Sequence, residues 1–227
     1  MCGRFTLTAK PETIARSFQL PTVPEVDPRY NIAPTQTVLT VVLENQRTWK
    51  SMRWGLVPKW AKDAKIGNKL INARSETAAE KPSFRNAFKR RRCLIVADGF
   101  YEWKRTDDRK QPYYFYCGDR VPFAFAGLWE TWQPDGQEAI VSCTILTQSA
   151  NDAVKSVHPR MPVILAPQHY DRWLDPNLTD PEEIAALLSD RFPEKIAAFP
   201  VSSAVNNPRH DNIECVSRFA PIQNSEI

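Results

Sequence analysis

Five apolar segments follow one another in the middle of the chain, and they restrict it to a fold built on a substantial sheet. They cover residues 93–97, 100–104, 113–116, 122–129 and 139–147. Short runs that alternate with polar residues, or that are continuously apolar and rich in aromatic and β-branched residues, are typical of strands. Two further strands are predicted at 38–43 and 48–54, around a turn at 44–47.

Short helices are predicted around these strands. The helix at 11–18 has Pro11 in its first turn, where proline is favoured. Others are predicted at 75–80, 82–92, 150–156, 167–174 and 181–189, with a strand at 161–166. The chain has 19 prolines and only 7 glycines, which indicates stiff loops rather than flexible linkers. We therefore expect one compact α+β domain rich in antiparallel sheet.

Length and cysteine usage exclude several classes of protein. A chain of 227 residues with 42% hydrophobic residues can bury a proper core in one large domain. No apolar run has the roughly 18–20 residues of a membrane span, and no signal peptide is evident, so we expect a cytoplasmic protein without membrane contact. The five cysteines have no paired spacing, which argues against a disulfide framework or a zinc site. Cys93 and Cys143 lie in apolar runs and are predicted to be buried.

The net charge of +4 is unevenly distributed along the chain. Residues 1–110 contain 22 Lys and Arg against 11 Asp and Glu, a net charge of +11, whereas residues 111–227 contain 8 against 15, a net charge of −7. Such asymmetry is typical of a face that binds a polyanion. The alternative is an ordinary solvated surface, because folding can interleave the two halves.

Cys2 follows the initiator in the sequence MCGRF, and loss of Met1 would place an α-amine and a thiol on one residue. Near neutral pH an appreciable fraction of each group is reactive. The amine can condense with an aldehyde to an imine, and the thiol can then close a five-membered thiazolidine on the imine carbon. Ring closure is intramolecular and so gains a large proximity advantage. The alternative is that a cysteine stands at position 2 by accident.

Three polar residues could assist such chemistry. Glu102 interrupts the aromatic run FYEW, where desolvation would raise its pKa towards a value useful for proton transfer. His158 precedes Pro159 at the start of an apolar strand, and Asn72 lies between an apolar run and a helix start. Each also has a structural alternative: a solvent-facing strand residue for Glu102, a satisfied structural histidine for His158, and a turn residue for Asn72.

Cations and aromatic residues are interleaved in the basic half, a pattern that suits single-stranded nucleic acid because bases stack on aromatic faces while cations follow phosphates. Trp60, next to Lys59, is predicted to be exposed, whereas Trp54 is predicted to pack in the core. The candidate cations are Arg4, Arg53, Lys59, Arg74, Arg85 and the run at 89–92.

The chain resembles the SOS response-associated peptidase (SRAP) family of abasic-site processing proteins. The resemblance rests on several blocks in the same order: MCGRF at 1–5, YNIAPT at 30–35, RWGLVPKW at 53–60, INARSET at 71–77, CLIVADGFYEWK at 93–104, FAFAGLWE at 123–130, TILTQSAN at 144–151, HPRMPVIL at 158–165 and PVSSAVNN at 200–207. It implies a single SRAP domain over residues 1–227, with a barrel-like core flanked by short helices.

The resemblance also implies a function. The protein would bind single-stranded DNA containing abasic sites and capture the ring-opened aldehyde through Cys2 as a thiazolidine crosslink, as a monomer without a cofactor or metal. Asn72 would hold the N-terminus, Glu102 would relay protons, and His158 would assist opening of the sugar ring. The implied DNA contacts are Arg4, Trp60, Arg74, Arg85 and Arg160.

One departure from the family pattern concerns the residues that wedge into DNA. Members of the family often have two bulky residues there, whereas Trp60 is followed by Ala61. We therefore expect a smaller wedge and a weaker preference for strand junctions.

Two activities and two rival functions stay open at this stage. The resemblance implies autoproteolytic removal of Met1, although an aminopeptidase could also remove it, and a strand-cleaving lyase activity could compete with capture. The rival functions are a thiol protease with an N-terminal nucleophile, and a non-catalytic module that binds single-stranded DNA.

Overall fold

The computed structural model describes residues 2–106, 110–118, 120–136, 138–190 and 196–219. In chain order its strands are β1 (Phe5–Leu7), β2 (Arg29–Ile32), β3 (Thr37–Leu43), β4 (Arg47–Trp54), β5 (Asn72–Arg74), β6 (Arg92–Ala97), β7 (Gly99–Arg105), β8 (Lys110–Cys117), β9 (Phe123–Trp132), β10 (Ile140–Ser149), β11 (Arg160–Pro162), β12 (Ile164–Leu165) and β13 (Ile196–Pro200). The helices are α1 (Pro11–Phe18), α2 (Ser75–Ala78), α3 (Arg85–Arg90), α4 (Tyr170–Leu174) and α5 (Pro181–Ser189). Short 3₁₀ helices cover Ala64–Lys69, Pro167–His169, Ser203–Asn206 and Ile213–Val216.

Five strands close into a barrel. They pair in the order β10-β4-β3-β6-β9, and β9 pairs again with β10, which completes the ring. All of these pairings are antiparallel except that of β10 with β4. The short strands β5 and β11 add to β10, and β12 adds to β9. Closure removes the exposed edges that such apolar strands would otherwise present.

A second sheet of five strands, in the order β13-β8-β7-β1-β2, contains the N-terminal strand in its interior. In β1, Phe5 pairs with Phe100 of β7 on one side and with Ile32 of β2 on the other. The Phe5 ring packs edge-on against Trp54 at 5.2 Å and against Phe125 at 5.7 Å, between ring centroids. The start of the chain is therefore fixed by both sheets.

The expected α+β class with a barrel-like core is confirmed, and most predicted elements are present. Helix α1 spans the predicted residues, and the strands predicted at 38–43 and 48–54 form the β3–β4 hairpin. Each of the five central apolar segments forms a strand, β6 to β10, with ends shifted by a few residues. Cys93 and Cys143 are fully buried, as predicted.

Three predicted elements were wrong in part. The helix predicted at 82–92 is confined to α3, because Arg92 already pairs in the barrel as the first residue of β6. Residues 152–156 form turns instead of a helix, because the N–H groups of Lys155 and His158 donate to carbonyls four residues earlier but those of Val154 and Val157 donate three residues earlier, so no continuous helical ladder forms. The strand predicted at 161–166 is divided into β11 and β12, which join different barrel strands.

The basic and acidic halves of the sequence are interleaved in space. The five-stranded sheet places β8 and β13, from the acidic half, beside β7 and β1. The barrel likewise combines β3, β4 and β6 with β9 and β10. Charge along the sequence therefore does not translate into two separate lobes. In the described residues, no helix has the length and apolar character needed to cross a membrane.

Candidate active site

Cys2 lies fully buried just before β1. Two hydrogen bonds fix the backbone around it: the Tyr101 N–H donates to the Arg4 carbonyl at 3.0 Å, and the Asn72 side-chain Nδ2 donates to the Cys2 carbonyl at 2.8 Å. The Cys2 thiol lies 3.7 Å from the Arg4 carbonyl oxygen. The predicted nucleophile is thus held in one position by its neighbours on the sheet.

Asn72 is positioned by the barrel. It begins β5, which pairs in parallel with β10 opposite Ile145, and the preceding Ile71 carbonyl accepts a hydrogen bond from Trp54 Nε1 at 2.8 Å. Within the described part of the chain, the buried Asn72 Oδ1 has no hydrogen-bond partner. The amide therefore holds the Cys2 carbonyl through its nitrogen and keeps an acceptor available for an N–H group.

Glu102 lies on β7 with 2% of its surface exposed. Burial raises the pKa of this carboxyl from 4.5 to about 7. Burial first, and the charge of Glu102 second, raise the pKa of the Cys2 thiol well above its usual value. The Glu102 carboxyl is therefore partly protonated at neutral pH and lies close enough to the protonated Cys2 thiol to affect its pKa. A group in this state can both donate and accept a proton.

His158 is close to Glu102, with 3.9 Å between His158 Nδ1 and Glu102 Oε1. Burial lowers the pKa of His158, which keeps the imidazole neutral at neutral pH. The Arg160 N–H donates to His158 Nδ1 at 3.0 Å, so the ring position depends on the first residue of β11. The structure therefore brings together Cys2, Asn72, Glu102 and His158, four residues that lie far apart in sequence.

Arg160 is held by an ion pair and by the barrel. Its guanidinium contacts both carboxylate oxygens of Glu76, at 2.5 and 2.9 Å, and donates to the Thr147 carbonyl at 2.6 Å. The hydrogen bond from Arg160 lowers the pKa of Glu76. Arg160 therefore connects α2 to β10 and, through its backbone, to His158. A contact between Arg160 and DNA stays a prediction.

Arg4 is similarly engaged inside the protein. It donates to Asn31 Oδ1 at 2.9 Å, to the Val205 carbonyl at 2.5 Å and to the Asn206 carbonyl at 3.3 Å. Asn31 also donates to the carbonyls of Val205, Asn207 and His210, at 3.1, 3.0 and 2.6 Å. Arg4 thus ties the residues after β13 to the N-terminal strand, and its proposed contact with DNA is not tested by this geometry.

The other predicted DNA contacts are on the surface. Arg74, at the end of β5, and Arg85, at the start of α3, are exposed. Trp60 is 58% exposed and Trp54 is fully buried, as predicted for both side chains. Ala61, next to Trp60, is small and buried at 9% exposure, so it adds no second bulky side chain beside the exposed indole.

A cleft of about 470 Å³ opens beside Glu102 and His158, and four of its six lining residues were missed by the sequence analysis. Glu102 and His158 are joined there by Trp103, Arg105, Lys110 and Asn206. Arg105 and Lys110 lie between the strands predicted at 100–104 and 113–116, and only the register of β7 and β8 places them opposite each other.

The arrangement can carry out nucleophilic chemistry with proton transfer. It combines a thiol, a carboxyl with a pKa of about 7, a neutral imidazole and an orienting amide beside an open cleft. The described residues contain no cluster of three or more His, Cys, Asp or Glu that could hold a metal ion.

Comparisons with known proteins give one consistent result. The model of the family "SOS response associated peptidase (SRAP)" matches residues 1–208. "Abasic site processing protein YoqW" of Bacillus subtilis is 44% identical over 95% of this chain and 99% of its own length. "Abasic site processing protein YedK" of Escherichia coli is 31% identical over 95% of this chain and 99% of its own length. A vertebrate relative, "Abasic site processing protein HMCES" of Xenopus tropicalis, is 31% identical over 96% of this chain and 78% of its own length.

A solved structure has the same fold as this chain. A crystal structure of a protein from Bacteroides thetaiotaomicron superposes with a TM-score of 0.84 at 26% identity, and the match covers 96% of this chain and 100% of that one. A family model over nearly the whole chain, relatives above 30% identity and a shared fold lead to one conclusion: this chain belongs to the SOS response-associated peptidase (SRAP) family.

Proposed function

We propose that this protein binds single-stranded DNA and captures the aldehyde of an abasic site through Cys2 as a thiazolidine crosslink. The observation that carries the proposal is the convergence of Cys2, Asn72, Glu102 and His158 beside one cleft. The names of the relatives, all abasic site processing proteins, support the choice of substrate.

The first step is opening of the deoxyribose ring, which exposes the aldehyde. His158 Nδ1 lies 2.9 Å from the Arg160 carbonyl oxygen, and the imidazolium form, a minor species because burial lowers the pKa of His158, donates to this oxygen and carries its other proton on Nε2. Nε2 of this imidazolium can give its proton to the ring oxygen as the bond between this oxygen and C1′ breaks, which leaves a neutral imidazole. The proton of the C1′ hydroxyl leaves to the Glu102 carboxylate.

The second step joins the Cys2 amine to C1′. The amine nitrogen bonds to the aldehyde carbon, and one amine proton moves to the carbonyl oxygen to form a hydroxyl. The protonated Glu102 carboxyl gives its proton to this hydroxyl as it departs and then takes the second proton from the nitrogen, so water leaves and an imine remains. A carboxyl with a pKa of about 7 suits this step, because both of its protonation states are populated at neutral pH. Asn72 holds the Cys2 carbonyl and so keeps the amine next to the cleft.

The third step closes the ring. The Cys2 sulfur bonds to C1′, and the thiol proton is transferred through the Glu102 carboxylate to the former imine nitrogen. Burial keeps the thiol protonated until this point, which prevents the sulfur from reacting with other electrophiles before the imine forms. The product contains every atom of the imine and the thiol, and no oxidant is required.

The chemistry requires loss of Met1, which lies outside the described residues. Hydrolysis of the bond between Met1 and Cys2 by the same Glu102 and His158 would make the protein its own peptidase, whereas an aminopeptidase would give the same product. Contacts to DNA are assigned to the exposed Arg74, Arg85 and Trp60, and to Arg4 and Arg160 beside the site.

The test is adduct formation with a single-stranded oligonucleotide that contains one abasic site. The protein, with Met1 loss verified by intact mass, is expected to form an adduct that survives heating without borohydride. Cys2→Ala keeps the amine but lacks the thiol, so it should form only an imine, which is trapped by borohydride and lost on heating without it.

An equal yield of heat-stable adduct from Cys2→Ala would exclude the thiazolidine. Cleavage of unrelated peptides with no DNA adduct would favour a thiol protease. Binding of intact and abasic strands with equal affinity and no adduct would favour a non-catalytic binding module.

A further inference from the structure

Two cations face each other at the end of the β7–β8 pair, in which β7 carries Glu102. Arg105, the last residue of β7, pairs with Lys110, the first residue of β8. Like charges directly opposite in an antiparallel pair are destabilising. Both side chains are exposed, and no described carboxylate lies within ion-pair distance of either one. An anion between them would relieve the repulsion.

The pair borders the catalytic cleft. Arg105 and Lys110 line the same cavity of about 470 Å³ as Glu102 and His158. The proximity also has an electrostatic effect, because burial lowers the pKa of His158 and the positive charge of Arg105 lowers it further. An anion bound by this pair would therefore lie within reach of the reacting residues.

Asn206 adds a neutral donor to the lining of the same cleft. Its side-chain Oδ1 accepts a hydrogen bond from Trp103 Nε1 at 2.7 Å, and its backbone carbonyl accepts from Arg4 at 3.3 Å. With Oδ1 engaged by Trp103, the Nδ2 N–H groups are the donors that remain for a ligand. Two cations and an oriented amide are a suitable set for a phosphate, which offers several acceptor oxygens.

We propose that Arg105, Lys110 and Asn206 form a binding site for one phosphodiester group next to the abasic sugar. The inference rests on the proposed function, because the abasic sugar must enter the cleft beside Glu102 and His158. The site holds the strand on one side of the lesion and so sets which side of the sugar faces Cys2.

The test uses strands with a tetrahydrofuran abasic analogue, which has no aldehyde and reports binding alone. A neutral methylphosphonate replaces the phosphodiester either 5′ or 3′ to the analogue. The protein should bind one of these two strands about tenfold more weakly than the unmodified strand, as expected for loss of a charge-assisted contact.

The Arg105→Gln/Lys110→Gln variant should bind the unmodified strand about tenfold more weakly than the natural protein does. The methylphosphonate that weakens binding to the natural protein should not weaken binding to this variant any further. The slope of log K against log salt should fall by about 0.7, the value for one phosphate on a single strand. The variant should fold, because it removes a like-charge repulsion at exposed positions. For Asn206→Ala, the same methylphosphonate should still weaken binding, but by a smaller factor than for the natural protein.

Arg172→Gln is the matched control, since Arg172 is an exposed arginine on α4 that does not line the cleft. The site is refuted if the double variant binds the unmodified strand as the natural protein does, or if the methylphosphonate loss is unchanged in the variant. Failure of the proposed function has a different signature, namely no adduct between the natural protein and an aldehyde-bearing abasic strand.

Discussion

Arg92 and Glu102 are buried ionisable residues on β6 and β7, two strands that follow each other in the chain. Arg92 has 3% of its surface exposed and Glu102 has 2%, yet their surroundings differ. The Arg92 guanidinium donates to five backbone carbonyls, those of Phe88, Lys89, Trp173, Asp175 and Leu178. Burial lowers its pKa only to about 10, so its charge is constant at neutral pH. The pKa of Glu102 is instead raised to about 7, where small changes alter its charge.

The difference shows that burial by itself does not identify a functional charge. Arg92 joins β6 to α3 and α4 through carbonyls that would otherwise lack donors, so it stabilises the fold. Glu102 is desolvated beside a cleft, and its desolvation outweighs the interactions that favour the ionised form, so both protonation states are populated at neutral pH. The following predictions test this division of roles.

The largest effect is expected from Glu102→Gln. An amide of the same shape cannot transfer protons, so the rate of adduct formation should fall by about a thousandfold, within the range for general acid–base catalysis. Affinity for a strand with the tetrahydrofuran analogue should stay within about twofold. Stopped reactions resolved on denaturing gels give the rate, and fluorescence anisotropy gives the affinity. Loss of both in equal measure would assign Glu102 to the structure instead.

Arg92→Met should lower the free energy of unfolding by about 3–4 kcal/mol, because it leaves buried carbonyls without donors. Chemical denaturation measures this loss. The rate of adduct formation per folded molecule should be unchanged. A variant that remains stable but captures slowly would break the comparison, since it would give Arg92 a part in the chemistry.

The next largest effect is expected in the pH dependence of the free energy of unfolding, to which Glu102 contributes and Arg92 does not. The folded pKa of Glu102, about 7, lies above its ordinary value of 4.5, so the folded state holds the extra proton between these values. Its contribution to stability is therefore fully present below pH 4.5 and is lost as the pH rises through 7.

The natural protein should lose about 3 kcal/mol of its free energy of unfolding between pH 4 and pH 8 through this titration, and Glu102→Gln should not. The free energy of unfolding of the variant minus that of the natural protein should therefore increase by the same amount over this pH range. Denaturation at both pH values measures the difference. A difference that is independent of pH would mean that the carboxyl titrates normally.

The smallest effect is expected from Glu76→Gln, which weakens the ion pair that holds Arg160. Arg160 positions His158 through its backbone, so the rate of adduct formation should fall about threefold, in keeping with the modest strength of a partly exposed pair. Glu76→Asp should restore part of the rate. Glu183→Gln, which removes the carboxylate of the exposed pair with Arg172, is the control and should have no effect.

The strands of the barrel could be predicted from the sequence because each is a local apolar pattern. Closure of the barrel could not, since the parallel pairing of β10 with β4 joins residues such as Cys143 and Trp54 that no local pattern connects. The helix predicted at 150–156 failed for a different reason, because Asn151 supplies a helix-start signal but the backbone hydrogen bonds after it do not continue as a helical ladder.

The candidate site divides in the same way. Cys2, Glu102, His158 and Asn72 could be selected because their chemistry stands out, and the family resemblance linked them. The anchoring of Arg4 to the carbonyls of Val205 and Asn206 could not be predicted, because it depends on backbone oxygens that every residue possesses. The facing positions of Arg105 and Lys110 could not be predicted either, because they depend on the register of β7 and β8, which the sequence does not specify.

The interior position of β1 in its sheet has a consequence for the order of events during synthesis. The partner of Phe5 is Phe100, and Asn72 and His158 are needed to complete the site around Cys2. A growing chain therefore exposes Cys2 to the surrounding solution long before its partners have been translated. Small metabolic aldehydes could consume an unblocked amine and thiol during that interval. Retention of Met1 until the sheet has formed would protect the residue from this loss, so the timing of its removal matters as much as the removal itself.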